Sequence, residues 1–330
     1  MPTRPTMNDV AEHLGVSRQL VSMVLRGAPG PSEDSRTRVR AAAKALGYHP
    51  DQSARLLRGR RSFRLGVMFS MKEPFETDLV EHLFVAAKER GYSLVLGPLG
   101  PTRPQEDVLA DLLGQRVEAL LVLSGDSGTD TIDGLPEQLP VVQVGGPTAS
   151  TPHDDVRADD DVGIGLLMEH LTGLGHQRIV HVSGGTGPNS ASRRRAYEEQ
   201  MAARGLVPDV VAGAYTEDAG YRAALSLLER ELLPTAVMAA NDRCAVGVLA
   251  ALAGGGAEVP DRISVTGFDD SSVASWPFTQ LTTVDVDPAA LADAALDAAA
   301  HRSSGGAGDA VRQLIAPGLV VRGSTGPAAP

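Results

Sequence analysis

Twice along these 330 residues the same order of elements recurs. Arg64-Leu65-Gly66-Val67-Met68-Phe69 is an apolar run of the length and composition of a strand buried on both faces. A polar loop follows to Glu73, then Pro74-Phe75, a helix through Lys88, an Arg90-Gly91 turn and a second strand, Tyr92 to Leu96. Gln177 to Val182, a loop over Ser183 to Pro188, a helix over 190–203, Arg204-Gly205 and Val210-Val211 repeat it. Strands joined through helices pair in parallel, so the repeat predicts two similar α/β lobes with parallel sheets. Ala119–Leu123, Val141–Val144, Ala236–Ala239 and Ile263–Thr266 are further strands. Such sheets bind ligands beyond the carboxyl ends of their strands, here in a cleft between the lobes.

The repeat leaves residues 1–64 outside it, and their charge differs from the rest. They hold twelve Lys or Arg against five Asp or Glu, in a chain with a net charge of −11. A basic head on an acidic body suits a nucleic-acid reader joined to a second function. The local pattern agrees. Thr6 caps a first helix, with Asp9 favouring its N-terminal dipole and Val10, Ala11 and Leu14 facing inward. Gly15-Val16-Ser17 breaks it, and Ser17 caps a second short helix over 18–25. Leu20, Val21, Val24 and Leu25 turn inward, leaving Arg18, Gln19 and Ser22 outward to reach base edges and phosphates in a major groove. Ser32 caps a third helix that runs through Leu46 and stops at Gly47. This is a helix-turn-helix pattern.

Composition removes other classes. One cysteine, Cys244, permits neither a disulfide framework nor a cysteine-based zinc site within the chain. No apolar run approaches the about 18 residues of a membrane span, and the amino terminus lacks an apolar leader, so a cytoplasmic protein with no membrane association is expected. Gly125-Asp126-Ser127-Gly128 echoes a serine-protease signature, but that fold is all-β and disulfide-linked. Gly184-Gly185-Thr186-Gly187 lacks the Gly-Lys of a phosphate loop and the glycine spacing of a dinucleotide site. Asp154, Asp155, Asp159, Asp160 and Asp161 do not have the spacing of a calcium loop, and capping of a helix over 162–173 explains the last three. His176 and His181 have no ligand-spaced partner. No metal, cofactor or catalytic residue is expected, and the chain is read as no enzyme.

Met7 to Ser17, then Val21-Ser22, then Leu46-Gly47-Tyr48-His49-Pro50, in that order and spacing, resemble the lactose-repressor (LacI/GalR) type of bacterial transcription regulator. The resemblance continues through Asp159 to Ile179, Pro234 to Asp242, Pro260 to Asp270 and Leu281 to Val284, and covers about residues 6–322. It implies an all-α headpiece on a two-lobed core like that of periplasmic binding proteins. The expected domains are 1–49 for DNA binding, 50–64 for a hinge helix and linker, and 65–330 for effector binding and dimerisation. The first lobe would take about 65–157 and 288–314, the second about 158–287 and 315–323. The expected function is a repressor on a near-palindromic double-stranded operator, controlled by a small molecule, a carbohydrate by class. Gly323–Pro330 is a Pro/Gly tail without heptads, so a homodimer is expected rather than a tetramer.

The DNA contacts expected from the pattern and the resemblance are Thr6, Ser17, Arg18, Gln19, Ser22, Met23, Arg26, Ser32 and Tyr48, with Ala54 and Leu57 in the hinge. Met23 stands where the family commonly has a base-reading arginine, Leu20 where threonine is usual and Arg26 where asparagine is usual, so the operator departs from the common half-site. Gln52 to Gly59 is too short for a stable helix in water and orders only against a partner or DNA. In the family this hinge pairs across the dimer and wedges a leucine into the minor groove. Leu57 holds that position, Ala54 gives the close helix contact, and the flanking arginines suit a minor groove. The alternative is that Leu56 and Leu57 pack on the core.

For the effector, strand ends together with the resemblance imply three residues that match the family's ligand-binding positions: Arg194 at a helix start offers a planar fork of donors, Asp269 accepts from vicinal hydroxyls, and Asn241 both donates and accepts. Phe75 and Tyr215 match the family's ring-stacking positions. Gly145 and Val286 stand where the family is often polar, Arg157 where an aromatic occurs, and Glu76 where an aromatic is sometimes found, so the effector need not be a common neutral hexose. Two other classes share parts of this pattern. A transporter's solute-binding protein has the same core but a leader and no basic head, and a sugar-active enzyme needs a base, nucleophile or metal constellation.

Overall fold

The computed structural model describes residues 5–25, 27–48, 61–123, 132, 135, 139–146 and 153–329. The chain divides into two compact units, Met1–Ser62 and Phe63–Pro330.

The first unit holds three helices, α1 (Met7–Leu14), α2 (Arg18–Leu25) and α3 (Glu33–Ala45). Thr6 starts α1 with a reciprocal cap: its Oγ1 accepts from the Asp9 N–H, and Asp9 Oδ2 accepts from the Thr6 N–H at 2.6 Å. These bonds to Thr6 hold the Asp9 carboxyl below its ordinary range. Gly15 ends α1 in the left-handed region at φ 66°, where a side chain is disfavoured. Val10, Ala11, Val21, Val24, Val39, Ala42 and Ala43 form the core, and each comes from the apolar stripe of its helix.

The second unit is α/β. Its first sheet is β1 (Arg64–Ser70), β2 (Ser93–Leu99), β3 (Ala119–Val122), β4 (Val141–Val144), β5 (Asp154–Ala158) and a late strand over Arg312–Ile315, in the order late strand-β5-β4-β3-β1-β2, all parallel. Between β1 and β2 runs α4 (Pro74–Glu89), and between β2 and β3 runs α5 (Gln105–Gly114). Alternation along β1 and β3 sends Leu65, Val67, Ala119 and Leu121 to the α4 face, and Met68, Leu120 and Val122 to the α5 face. Leu79 and Leu83 on α4 are fully buried, each contributing about 1.5–3 kcal/mol.

From β5 the chain crosses to α6 (Asp160–Gly173), β6 (Ile179–Val182), α7 (Ser190–Ala203), β7 (Asp209–Val211), α8 (Glu217–Leu228), β8 (Ala236–Ala239), α9 (Asp242–Gly254) and β9 (Ser264–Thr266). These strands form a parallel sheet in the order β7-β6-β8-β9. Helices α8 and α9 cross so closely that a Cβ on Gly247 would lie 1.9 Å from the Glu217 carbonyl oxygen, so only glycine fits there. A 3-10 turn, Ser272–Ser275, leads to β10 (Thr283–Asp285). The chain then returns to the first lobe as α10 (Pro288–Ser303), β11 (Arg312–Ile315, the late strand) and crosses once more to β12 (Gly318–Val320), antiparallel to β10. One apolar core, including Val67, Leu121, Tyr197 and Phe268, runs through both lobes.

Two features go beyond the sequence reading. Asp154 and Asp155 lie in a strand, where Arg302 forks onto Asp154 at 2.8 and 2.9 Å. The tail after Gly323 is docked: Val265 N–H donates to the Ser324 carbonyl at 2.8 Å and Ala328 N–H to Leu174 at 2.9 Å. The reason is that β9 is an edge strand, and the tail covers its unpaired backbone groups.

Candidate functional site

A cavity of about 160 Å³ opens in the cleft between the lobes. Glu73, Phe75, Glu76, Leu79, Leu123 and Val144 line it from the first lobe. Pro188, Asn189, Arg193, Tyr215, Asn241 and Asp269 line it from the second, with Gly145 at the end of β4. The lining combines an apolar wall with a few convergent polar groups, as small-molecule sites do.

Arg193 organises the polar side. It sits in the first turn of α7, and its Nε donates to Asp160 Oδ1 at 3.0 Å, Nη1 to the Ala240 carbonyl at 2.7 Å and Nη2 to Asp269 Oδ1 at 3.3 Å. Its guanidinium carbon lies 3.7 Å from the centre of the fully buried Phe268 ring. Asp160 also accepts from Ser192 Oγ at 2.5 Å, so α6 and α7 are tied through one carboxylate.

Asp269 follows β9 with φ 113°, a backbone conformation that costs a side-chain-bearing residue on the order of 1–3 kcal/mol. Its N–H donates to Val284 at 2.9 Å and it bridges Asp285, so pairing with β10 holds it there. Burial pushes its carboxyl upward; Arg193 opposes this, and Glu73 and Asp160 add to it. Behind it, burial also raises the Asp242 carboxyl, which accepts from Thr283 Oγ1 at 2.6 Å and from Ser271 N and Oγ at 2.7 and 2.9 Å.

Asn241 caps α9, its Oδ1 accepting from the Cys244 N–H at 2.9 Å, which leaves its amide N–H groups for the cavity. Asn189 donates from Nδ2 to the Gly145 carbonyl across the cleft, while its buried Oδ1 has no partner. Tyr215 donates to the Pro188 carbonyl, and burial pushes its phenol up to about 12, so it stays protonated. The ring fits because Gly184 and Gly187 lack side chains: a Cβ on either would stand 2.5 Å from it. The glycine-rich loop that resembles no nucleotide site thus makes room for an aromatic wall.

The lobes are tied at the cleft mouth. Arg243 Nη1 donates to Glu73 Oε1 at 2.6 Å, and its Nε to Glu217 Oε1 at 2.9 Å. Burial raises the Glu73 carboxyl despite Arg243. The Ser272 N–H donates to Asp78 Oδ2 on α4 at 2.9 Å.

The structure brings together Phe75, Tyr215, Asn241 and Asp269 of the expected effector residues. Arg194 is not among them. Its Nε pairs with Glu198 Oε1 at 2.8 Å on the solvent face of α7, because successive helical residues point about 100° apart. Arg193 takes the cleft position, and the signal was present: Arg193, Ala196, Tyr197 and Met201 follow helical spacing, which puts Arg193 on the buried stripe. Asp160, Glu73, Asn189 and Arg243 were also missed, and only the fold brings them to the cleft. Of the positions that depart from the family pattern, Glu76 and Gly145 line the cavity, Val286 is core, and Arg157 pairs with Asp155 at 3.2 Å.

In the headpiece, Ser17, Arg18 and Gln19 are exposed at the start of α2, and Ser22 and Met23 are half-buried. Thr6 and Ser32 cap α1 and α3. Tyr48 is not on the open face: it is 8% exposed and belongs to the three-helix core, drawn in as its N–H bonds Ala43 at 2.8 Å. Arg26, Ala54 and Leu57 lie outside the described residues.

Residues 6–51 match the model of the bacterial regulatory proteins, lacI family, and residues 168–325 that of a periplasmic binding protein-like domain. The ribose operon repressor of Escherichia coli (strain K12) is 32% identical over 327 residues, 97% of this chain and 99% of that protein. This chain belongs to the lacI family. A LacI transcriptional regulator from a Rhodococcus species is 40% identical over 81% of this chain and all of that one, with a TM-score of 0.77. The lac repressor dimer bound to operator and the anti-inducer ONPF is 28% identical over 98% of this chain and all of that one, with a TM-score of 0.81. As a lacI-family protein the chain is a DNA-binding transcription regulator, with a helix-turn-helix reader on a two-lobed, ligand-responsive core. No helix among the described residues is long and apolar enough to cross a membrane.

Proposed function

We propose that this regulator is a cytoplasmic, homodimeric repressor whose hold on a near-palindromic operator is controlled by a small carbohydrate in the cleft. The observation that carries this reading is that the Arg193–Asp269 pair lines one cavity together with Asn241 and the aromatic Phe75 and Tyr215. A guanidinium, a carboxylate and an amide around one small cavity match the mixed donors and acceptors of sugar hydroxyls, and the rings match its apolar faces. Arg18, Gln19, Ser17 and Ser22 on α2 would enter the major groove, with Thr6, Met23, Arg26 and Ser32 beside them and Ala54 and Leu57 at the central minor groove. Effector binding changes lobe closure and with it the spacing of the two hinges, and a few kcal/mol of differential affinity suffices to order or melt so short a helix.

The core is a sensor rather than an enzyme on this reading. Arg193 is committed to Asp160 and Asp269, and Arg243 to Glu73 and Glu217, so the ionisable groups of the cleft hold one another. The test is a gel shift on duplexes from around its own gene, repeated with a panel of monosaccharides. Sequence-preferential retardation that one sugar relieves or strengthens is expected. Retardation without preference for any duplex, or turnover of a bound sugar, would overturn the reading.

A further inference from the structure

We propose that Met23 is a base-reading residue of the headpiece and that it selects a thymine through the C5-methyl group of that base. This rests on the reading that α2 lies in the major groove.

Successive residues of a helix point about 100° apart, so Arg18, Gln19, Ser22 and Met23 fall within one arc of about 140° on α2, and Leu20, Val21, Val24 and Leu25 fall on the other side. The second group packs into the three-helix core, and Met23 lies outside that core. Arg18 and Gln19 are exposed, and among the described residues neither side chain has a partner. Both carry the paired hydrogen-bonding groups that read guanine and adenine. Met23 shares their face but brings no donor and only a weak acceptor, so what it offers a groove is carbon and sulfur.

The loop after α2 holds this side chain in place. The Ala28 N–H donates to the Met23 carbonyl at 3.0 Å, and Arg36 Nη2 on α3 donates to the Ala28 carbonyl at 2.7 Å. Gly30 in the same loop has φ 116°, and a Cβ there would stand 3.2 Å from Met23 Cε. A glycine at that point lets the loop close on the methyl end of the methionine. A methionine free in solvent turns about several bonds and specifies little. Here one flank is covered by the loop and the other stays open, since Met23 is half-buried. Base chemistry then decides what suits the open flank. The edges of guanine, adenine and cytosine in the major groove are hydrogen-bonding atoms, which an apolar side chain strips of water without replacing it, at a cost. Thymine alone among the four bases presents a methyl group there, and covering it is favourable. A polarisable thioether adapts to that contact.

The test takes the full-length protein through repeated gel-shift selection from duplexes with a random core. The selected site is then remade with uracil in place of each thymine of either strand, one position at a time; uracil pairs as thymine does and lacks only the methyl group. One thymine is expected at which uracil lowers affinity about fourfold per half-site, the contribution of one buried methyl group. At that position 5-methylcytosine should bind better than cytosine. In Met23→Gln, similar in shape but polar, thymine and uracil should bind alike there, while the preferences at the other positions persist. Met23→Ala carries the same expectation and decides if the glutamine variant fails to fold, which heat-unfolding scans report. A selected site without thymine, uracil tolerated at every position, or a uracil effect undiminished in the variants overturns the role of Met23 and leaves α2 as the reader. A selection that enriches no sequence overturns the major-groove reading as well.

Discussion

Arg243 on α9 donates to Glu73 at 2.6 Å and so joins the second lobe to the first at the mouth of the cleft. The same guanidinium holds Glu217 in its own lobe, which fixes the fork before it reaches across. Hydrogen bonds to charged groups contribute about 1.5–3 kcal/mol each. Arg243→Met is therefore expected to loosen closure: amide exchange at the cleft residues of both lobes should accelerate, and a neutral ligand should bind more weakly. An exchange pattern matching the unaltered protein would show that the tie does not hold the lobes.

Neighbouring arginines on α7 are expected to behave oppositely. Arg193→Met leaves Asp160 and Asp269 buried without their cation, a loss of about 3–5 kcal/mol. Arg194→Met removes an exposed pair with Glu198 and should change stability by less than about 0.5 kcal/mol. Urea unfolding of the two variants side by side measures this, and equal losses would contradict the assignment of Arg193 to the site.

Acid should reach the core through His181. Its Nδ1–H donates to the Met238 carbonyl at 3.1 Å, Nε2 is buried without a partner, and burial pushes its pKa down to about 4. The unfolded chain takes up this proton near pH 6.5 and the folded chain only near pH 4, so stability from this residue is full above about 6.5 and falls as pH drops through that window. His181→Asn keeps a donor for Met238 without a titrating ring. The difference in unfolding free energy between the two proteins should shrink as pH falls from about 6.5 to 4; a constant difference would mean that the histidine is not held neutral.

Headpiece residues should separate into readers and supports. Arg18→Ala touches an exposed side chain, so the fold should survive while DNA affinity drops and the slope of log affinity against log salt decreases by about 0.9 if a phosphate is lost. Tyr48→Ala empties the core of the headpiece, and a loss of about 3–5 kcal/mol should unfold it and abolish DNA binding without altering ligand affinity. Heat-unfolding scans together with gel shifts distinguish the two. A stable headpiece in Tyr48→Ala would return that ring to the DNA side.

Sequence period alone specifies much of the architecture. The turn at Gly15 between two apolar stripes, and the doubled strand-loop-helix order ending in Arg90-Gly91 and Arg204-Gly205, are local patterns, and local patterns follow from covalent geometry and side-chain spacing. Strand ends together with the family resemblance pointed to Asn241 and Asp269. The choice between Arg193 and Arg194 turned on one residue of helical phase, and the stripe through Ala196, Tyr197 and Met201 already contained the answer.

The chain order by itself determined a basic three-helix head, two parallel-sheet lobes and a cleft at their strand ends. Tertiary structure alone decided which charges meet there: Asp160 reaches Arg193 across 33 positions, Arg243 reaches Glu73 across 170, and the tail closes the open edge of β9. Periodicity fixes the face on which a side chain lies, whereas the partner of a buried charge depends on how distant segments dock, because an ion leaves water only where the fold supplies its counter-ion and hydrogen bonds.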